Sequence, residues 1–288
     1  MKQTGRWLYT GAATGAFNMA ADEALLMRAS NPGSEPTLRI FAWNPPAVTL
    51  GYGQNASREL DLAKCRRAGL DVVRRLTGGR AVLHWDELTY SVVWPVEALG
   101  GGLEDSFQLI GRCLVAGLQR FGIDATLERS RPARDRRRER ELSPPCFAST
   151  SRWEVKYLGR KLIGSAQRRI KNAVLQHGSL LLGPEHKQLL DLLPEGGEST
   201  RKLRIEELDR GSVDLRSTQA DEIDVDRLAR SIAEGFAQCA ELELRLDDFD
   251  FSEKETIDKL VETKYGDPLW NRTAPEDFID STALAQLH

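Results

Sequence analysis

The chain has 288 residues, of which 41% are hydrophobic and 29% charged, and its formal net charge at pH 7 is −3. This composition is typical of a folded globular protein, and the small net charge gives no electrostatic basis for binding nucleic acid. No apolar run reaches the ~18 residues that a membrane span requires, and the N-terminus does not lead into a signal peptide. We therefore expect a cytoplasmic protein with no nucleic-acid or membrane partner.

In the N-terminal quarter, hydrophobic periodicity predicts two helices and two strands. The helices cover residues 12–30 and 57–68, and Ser57 is the expected N-cap of the second. The strands cover residues 37–43 and 47–50, on either side of a proline-rich turn. These elements alternate in type, which favours a mixed α and β architecture.

The stretch 72–94, VVRRLTGGRAVLHWDELTYSVVW, contains two adjacent glycines, Gly78 and Gly79, between two strand-like runs. Glycine adopts positive φ readily and lets the backbone approach a bound group closely. After a polar turn, alternate residues share one face of a third strand: Leu88, Tyr90, Val92 and Trp94. The pattern predicts strand, glycine loop, strand, turn, strand. On these residues alone, a hairpin carrying solvated arginines is the simpler alternative.

The next segments are a helix, a cationic segment and a cysteine. Apolar spacing predicts a helix over 106–121. An arginine-rich segment at 129–140 follows, and its composition fits either a solvated loop or a docking patch for an acidic protein. Cys146 lies just beyond it, after two prolines and outside any apolar pattern. A thiol close to clustered cations has the character that a nucleophile requires.

The other cysteines and the histidines give no sign of a metal site. Cys65, Cys113 and Cys239 form no CxxC pair with each other or with Cys146, and no two histidines lie four residues apart. Cys65 and Cys113 belong to apolar helical patterns, so we predict packing roles for both. We expect no structural metal and no disulfide framework.

Three consecutive strands are predicted after Cys146, over 153–158, 161–170 and 173–182. In an unbroken second strand, Lys161, Ile163, Ser165 and Gln167 share a face, whereas a bulge at Gly164 would change that arrangement. His177 in the third strand is predicted to be buried and hydrogen-bonded. From about residue 184 the chain is mainly helical, over 185–193, 224–239 and 252–265, with the polar segment 195–220 in part a loop.

Three blocks, in this order and spacing, resemble the lipoate-protein ligase and octanoyltransferase superfamily: RRLTGGRAVLHWDELTYS (74–91), GRKLIGSAQRR (159–169) and LQHGSLLLG (175–183). The similarity covers most of the chain from about residue 17 to residue 183. Cys146, fifteen residues before Lys161, makes the chain most similar to the cysteine-dependent octanoyl-acyl carrier protein:protein N-octanoyltransferases.

The resemblance implies an α+β fold, that of the biotin/lipoate-protein ligase catalytic domain. In this fold a larger mixed or antiparallel β-sheet and a smaller sheet are flanked by helices. The resemblance also implies one catalytic domain over residues 1–288, with a mainly helical C-terminal part from about 184.

The same resemblance implies the site residues. Cys146 is the expected nucleophile, and Lys161 the ammonium that favours its thiolate or binds the acyl carbonyl. The substrate-binding residues are expected in two groups, with Gly78, Gly79, Arg80 and Ala81 over the acyl chain and Arg75, His84, Gly164, Ser165 and Ala166 completing the pocket. No general-base role is expected for His84, because the cysteine and lysine already supply that function.

The implied activity is transfer of an octanoyl group from octanoyl-acyl carrier protein, through a thioester on Cys146, to a lysine of the glycine cleavage H protein or another lipoyl domain, in lipoate biosynthesis. No cofactor is expected, because conversion of a thioester into an amide is favourable without a nucleotide. Three alternatives stay open at this point. They are a lipoate or octanoate ligase that uses ATP and Mg, an amidotransferase acting between protein lysines, and a non-catalytic lipoyl-domain binding protein.

Overall fold

The computed structural model describes residues 2–99, 102–129, 153–194, 198–219 and 222–273. Its strands are β1 (Gln3–Ala13), β2 (Thr37–Trp43), β3 (Ala47–Leu50), β4 (Asp71–Arg74), β5 (Val82–His84), β6 (Glu87–Pro95), β7 (Thr126–Arg129), β8 (Trp153–Tyr157), β9 (Arg160–Ile170), β10 (Ala173–Leu181) and β11 (Leu242–Asp247). Its α-helices are α1 (Gly15–Ala29), α2 (Ala56–Glu59), α3 (Leu62–Arg67), α4 (Val96–Leu99), α5 (Leu103–Phe121), α6 (Glu198–Gly211), α7 (Val225–Cys239), α8 (Phe251–Leu260) and α9 (Pro268–Arg272). A 3₁₀ helix covers Pro184–Leu192, and a π-helical turn covers Val261–Tyr265.

In the described part of the chain, the strands form an eight-stranded sheet in the order β11-β1-β2-β6-β10-β9-β8-β7 and a three-stranded sheet in the order β4-β3-β5. Strands β11, β1 and β2 run parallel, and from β2 to β7 each neighbouring pair is antiparallel. The larger sheet is therefore mixed. The predicted α+β fold, with a larger mixed sheet, a smaller sheet and flanking helices, is confirmed.

Each face of the large sheet is covered by helices. On one face, Leu88, Tyr90, Val92 and Trp94 pack in a core that includes buried residues of α5 and α7. On the other face, Val93 packs in a core with buried residues of α1 and α8. This alternation along β6 confirms the predicted face. Because both faces are covered, polar side chains of the central strands are buried and need internal hydrogen-bond partners.

The predicted single helix over 57–68 is wrong. Two short helices, α2 and α3, occupy that region, and Asp61 lies between them. The Asp61 carboxylate accepts hydrogen bonds from the backbone N–H groups of Ala63 and Lys64, so it starts a new helix within the apolar pattern. Cys65 is fully buried in the small-sheet core and Cys113 in the large-sheet core, as predicted for both.

Three strands (β1, β7 and β11) and three helices (α4, α6 and α9) were not predicted. Strand β1 pairs in parallel with β11, more than two hundred residues away, and with β2. Both β1 and β11 carry several polar residues, so neither shows a strong apolar alternation. Helix α6 lies inside the segment that we expected to be partly a loop, and it too is rich in charged residues.

The chain after β10 packs back onto β9. The backbone N–H of Val213 donates to the carbonyl of Lys161, and Ser212 forms an isolated bridge with Lys161. Buried His186, on the 3₁₀ helix, hydrogen-bonds the Ser212 hydroxyl through Nε2 at 3.0 Å. The Ser212 hydroxyl also lies 2.7 Å from the carbonyl of Leu208, to which it donates. This segment therefore fixes the backbone at Lys161.

The His186 environment makes folding stability depend on pH. Burial lowers the pKa of His186 from 6.5 to about 4. Because the folded-state pKa lies below the unfolded value, the unfolded chain binds more protons as pH falls below 6.5, and stability is lost in that direction. Between pH 7 and pH 5 this group alone should cost the wild type about 2 kcal/mol of unfolding free energy.

Urea unfolding at both pH values measures the effect. His186→Gln retains an amide near the Nε2 position but cannot titrate, so its stability should fall less than that of the wild type across the same interval. Parallel losses in the two proteins would contradict the assignment to His186.

Candidate active site

A partly open pocket lies between the two sheets and α1. Its lining residues come from α1, both sheets and the loop after β4: Met19, Trp43, Thr49, Arg75, Val82, His84, Thr89, Gly164, Ser165, Ala166, His177, Gly178 and Ser179. On the large sheet, these residues run across the strands from β9 through β10 and β6 to β2. With strands ~4.8 Å apart, those three steps give a length of about 14 Å.

The wall at the β2 end is a stacked pair of rings. His84 lies parallel to Trp43, with ring centroids 4.1 Å apart and an angle of 18° between the planes. Both ring nitrogens of His84 are engaged, since Nε2 lies 2.8 Å from Thr49 Oγ1 and Nδ1 lies 2.7 Å from Glu87 Oε1. His84 therefore presents a ring surface to the pocket.

Arg75 ties the glycine loop to the small sheet. Its Nη1 donates to the carbonyl and hydroxyl of Thr49, and its Nη2 donates to the carbonyls of Gly78 and Arg80 at 2.9 and 2.8 Å. Gly79 has φ of +100°, which confirms the predicted use of glycine in this loop. A methyl group at Gly51 would lie 2.0 Å from the Gly79 carbonyl oxygen, so a second loop packs directly against the first.

His177 ties the same loop to the large sheet and to α1. Its Nδ1 lies 2.8 Å from Asp22 Oδ2, and its Nε2 lies 2.6 Å from the Thr77 hydroxyl. Burial lowers the pKa of His177 below the ordinary 6.5, although the Asp22 carboxylate acts in the opposite direction. His177 is thus a buried, hydrogen-bonded and neutral histidine. The expected burial and hydrogen bonding are confirmed.

Of the nine predicted substrate-binding residues, five line the pocket: Arg75, His84, Gly164, Ser165 and Ala166. The Ser165 hydroxyl points to the opposite face of the sheet, where it accepts a hydrogen bond from Tyr90 at 2.8 Å. Gly78, Gly79, Arg80 and Ala81 are not among the lining residues. The first three belong to the loop held by Arg75, and Ala81 packs in the small-sheet core.

Lys161 is buried on the strand that forms the β9 end of the pocket. Strand β8 pairs Val155 with Ile163 but Lys156 with Lys161, so one extra residue, Leu162, bulges β9 at this point. The expected alternative, a bulge at Gly164, is therefore wrong in position. Because of the bulge, Lys161 does not share the face of Ile163, Ser165 and Gln167 that an unbroken strand would give it.

The Lys161 ammonium faces a buried carboxylate instead. Nζ lies 3.4 Å from Glu154 Oε1, and both side chains are less than one-tenth exposed. Lys156 approaches the same Glu154 carboxylate at 4.0 Å from the more exposed side. Lys161 does not line the pocket, but it precedes Gly164 by three residues, on the order of 10 Å along the strand. Glu154 was missed at the sequence level, because a single glutamate in a short amphipathic strand is unremarkable there.

Three further expectations concern the Cys146 region, a metal site and a membrane span. Cys146 and nearly all of the arginine-rich segment 129–140 lie outside the described residues. Within the described ranges, no group of three or more His, Cys, Asp or Glu side chains is arranged to hold a metal ion. None of the described helices combines the length and the hydropathy that a membrane-crossing helix needs.

The pocket residues that the sequence did not identify lie on α1 and on strands β2, β3, β5, β6 and β10. Met19 on α1 and Trp43 on β2 read as ordinary core residues. Thr89 on β6 and Ser179 on β10 carried a usable signal, because they are polar residues on strands whose other face is apolar. Such residues need partners, and these two hydrogen-bond Glu87 and His84 respectively.

Comparison with known proteins gives three findings. A family model described as the lipoyl protein ligase A/B catalytic domain matches residues 14–237. The octanoyltransferase LipM of Kyrpidia tusciae is 38% identical over 93% of this chain and 98% of its own length, and that of Bacillus subtilis is 34% identical over 94% and 98%. The crystal structure of a lipoate-protein ligase A bound with ATP aligns over 94% of this chain and 100% of its own, with a TM-score of 0.76 and 25% identity. The chain belongs to the lipoyl protein ligase A/B catalytic-domain family.

Proposed function

We propose that this protein transfers an octanoyl group from octanoyl-acyl carrier protein, through a thioester on Cys146, to a lysine of the glycine cleavage H protein or another lipoyl domain. The observation that carries the proposal is a mainly apolar pocket that ends on the strand of a buried lysine, Lys161, in a chain 38% identical to an octanoyltransferase LipM.

The acyl chain would lie across the strands, with its methyl end near Trp43 and its carbonyl near β9. Trp43 and Met19 are buried and close the β2 end, so the chain enters from the side that faces solvent. Glycine and alanine at positions 164 and 166 leave space above the sheet for methylene groups. This orientation brings the reactive carbonyl toward the part of β9 that carries Lys161.

In the first step, the Cys146 thiolate attacks the thioester carbonyl of the donor. The resulting oxyanion collapses, the bond from carbon to the carrier sulfur breaks, and the carrier leaves as a thiolate that takes up a proton. One thioester replaces another, so this step is close to equilibrium. It needs a positive group near the oxyanion and near the attacking sulfur.

In the second step, the neutral amine of the acceptor lysine attacks octanoyl-Cys146. An amide bond forms, the carbon–sulfur bond breaks, and Cys146 returns to its thiolate while the nitrogen loses a proton. The amide is more stable than the thioester, which drives the reaction forward without a nucleotide.

Lys161 supplies the positive group in both steps, and Glu154 holds it in place. A buried ammonium without a carboxylate partner would be strongly destabilised. The ion pair at 3.4 Å offsets that cost and fixes the position of Nζ. The Lys161 carbonyl is held in turn by the backbone of Val213, so both ends of the residue are constrained.

Incubation with octanoyl-acyl carrier protein should give an enzyme whose intact mass is increased by one octanoyl group. Because the acyl group is held on sulfur, Cys146→Ala should abolish the adduct, whereas Cys65→Ala, at a buried packing position, should retain it. Addition of a lipoyl domain should discharge the adduct and transfer the label to its lysine.

Three outcomes would contradict this mechanism. Modification of the lipoyl domain only with ATP and free octanoate would indicate a ligase, the activity suggested by the structural likeness to the ATP-bound lipoate-protein ligase A. Labelling only from an octanoylated H protein would indicate an amidotransferase. Binding of a lipoyl domain with no adduct from any donor would indicate a binding protein.

Lys161→Ala should lower the rate of octanoyl-Cys146 formation at pH 7 by about 10²–10³-fold, the usual effect of removing one oxyanion-stabilising group. Glu154→Gln should also slow the reaction, because the amide preserves the shape of the side chain but not the charge that fixes Nζ. Both rates are measured by quenching the reaction at a series of times and determining the fraction of octanoylated enzyme by mass spectrometry.

Lys156→Ala is the matched control, since it removes a second lysine that contacts Glu154 but is more exposed. It should change the rate little. Alkylation of Cys146 by iodoacetamide separates the two roles of Lys161. Slower alkylation in Lys161→Ala supports stabilisation of the thiolate, and a wild-type alkylation rate would exclude that role. Wild-type turnover of Lys161→Ala would contradict both.

A further inference from the structure

Helices α5 and α7 approach each other very closely on the face of the large sheet that lies away from the pocket. A methyl group at Gly235 would lie 2.2 Å from the backbone nitrogen of Gly117 and 2.8 Å from the carbonyl oxygen of Cys113. A methyl group at Gly117 would lie 2.6 Å from Ile232 Cα. The two helices therefore touch backbone to backbone, and only glycine fits at the crossing.

This crossing brings two cysteines together. Cys113 lies one turn before Gly117 on α5, and Cys239 lies one turn after Gly235 at the end of α7. Both side chains pack in the same hydrophobic cluster. Cys113 is fully buried, whereas Cys239 is partly exposed. Both cysteines lie one turn from the backbone contact and on the same side of it, which is the placement that a disulfide between two helices requires.

We propose that Cys113 and Cys239 are a redox-active pair that forms a reversible disulfide between α5 and α7 when the protein meets a peroxide. The Cys239 thiolate attacks one peroxide oxygen and becomes a sulfenic acid as the O–O bond breaks, and the departing hydroxide takes up the proton that the Cys239 thiol had released and leaves as water. Cys113 sulfur then attacks the Cys239 sulfur, the S–O bond breaks, and the departing hydroxide takes the Cys113 proton as a second water. Two thiols lose two electrons, and one peroxide is reduced to two waters.

The electrostatics of the pair give each cysteine a different role. The pKa of Cys239 is lowered to about 7, because Cys113 hydrogen-bonds to it and the Arg112 guanidinium lies nearby. The pKa of Cys113 is raised, because its hydrogen bond to Cys239 and its burial both favour the thiol. The partly exposed Cys239 is then the attacking thiolate, and the buried Cys113 resolves the sulfenic acid.

The location of the pair separates it from the proposed acyl transfer. Cys113 belongs to the core formed with Tyr90 and the other residues of that face, and the pocket lies on the opposite face of the sheet. The disulfide would link positions 113 and 239 of the chain and restrict the unfolded ensemble, so the oxidised protein should be more resistant to unfolding.

The test uses the full-length protein with all four cysteines, treated with one equivalent of hydrogen peroxide at pH 7.5 and then alkylated in denaturant. Free thiols should fall from four to two. Trypsin should release peptide 113–120 joined to peptide 231–245, each with a single cysteine. The urea midpoint should rise on oxidation, and dithiothreitol should reverse both changes.

Matched variants identify the pair. Cys65→Ser removes a thiol from a different core and should still lose two thiols on oxidation, whereas Cys239→Ser should form no disulfide at Cys113. The wild-type peptide map decides the question even if a variant folds poorly. Fully alkylated Cys113 and Cys239, an unpaired sulfinic acid at Cys239, or a disulfide that includes Cys146 would each overturn the proposal.

Discussion

A one-residue shift of register in the large sheet determines which way Lys161 faces. Side chains alternate between the two faces of a strand, so an unshifted β9 would direct Lys161 toward the apolar core under α5 and α7. The extra residue at Leu162 reverses that direction and places Nζ against the Glu154 carboxylate. A buried ammonium and a buried carboxylate each need a charged partner. The bulge that brings Lys161 to Glu154 therefore supplies the partner that each of these two side chains requires.

A second constraint fixes the glycine loop between the two sheets. Arg75 holds its carbonyls from the small sheet, while His177 holds Thr77 from the large sheet, and Arg75 also donates to the Thr77 hydroxyl at 3.2 Å. One threonine hydroxyl therefore joins both anchors. This arrangement explains why the block around Gly78 and the block around His177 occur together, since each supplies the partners that the other needs when both are buried.

The sequence was informative where periodicity and local chemistry agree. Strands β2 and β3 were predicted with the bounds observed, and the apolar face of β6 was identified residue by residue, because burial on one face leaves a period-two pattern. Strands β1 and β11 were missed because their stability comes from parallel pairing across most of the chain, which local patterns do not record. The bulge was placed at Gly164 because glycine is the usual marker, whereas the register shift at Leu162 is set by pairing with β8. The pocket wall at Trp43 and Met19 likewise depends on the packing of α1 against the sheets, and the sequence gives both residues only as apolar.

The hydrogen bonds of the two pocket histidines limit the roles that these residues can have in a reaction. His84 uses both ring nitrogens on Thr49 and Glu87, and His177 uses both on Asp22 and Thr77. Neither imidazole has a ring nitrogen left to accept a proton from a substrate, and a general base must reach the proton that it removes. The two histidines therefore shape the pocket and hold its loops. In the proposed mechanism, charge stabilisation comes from the β9 end of the pocket, where Lys161 is a buried cation held beside the Glu154 carboxylate. The proposed mechanism therefore separates recognition of the acyl chain, in the pocket, from the reaction at the β9 end.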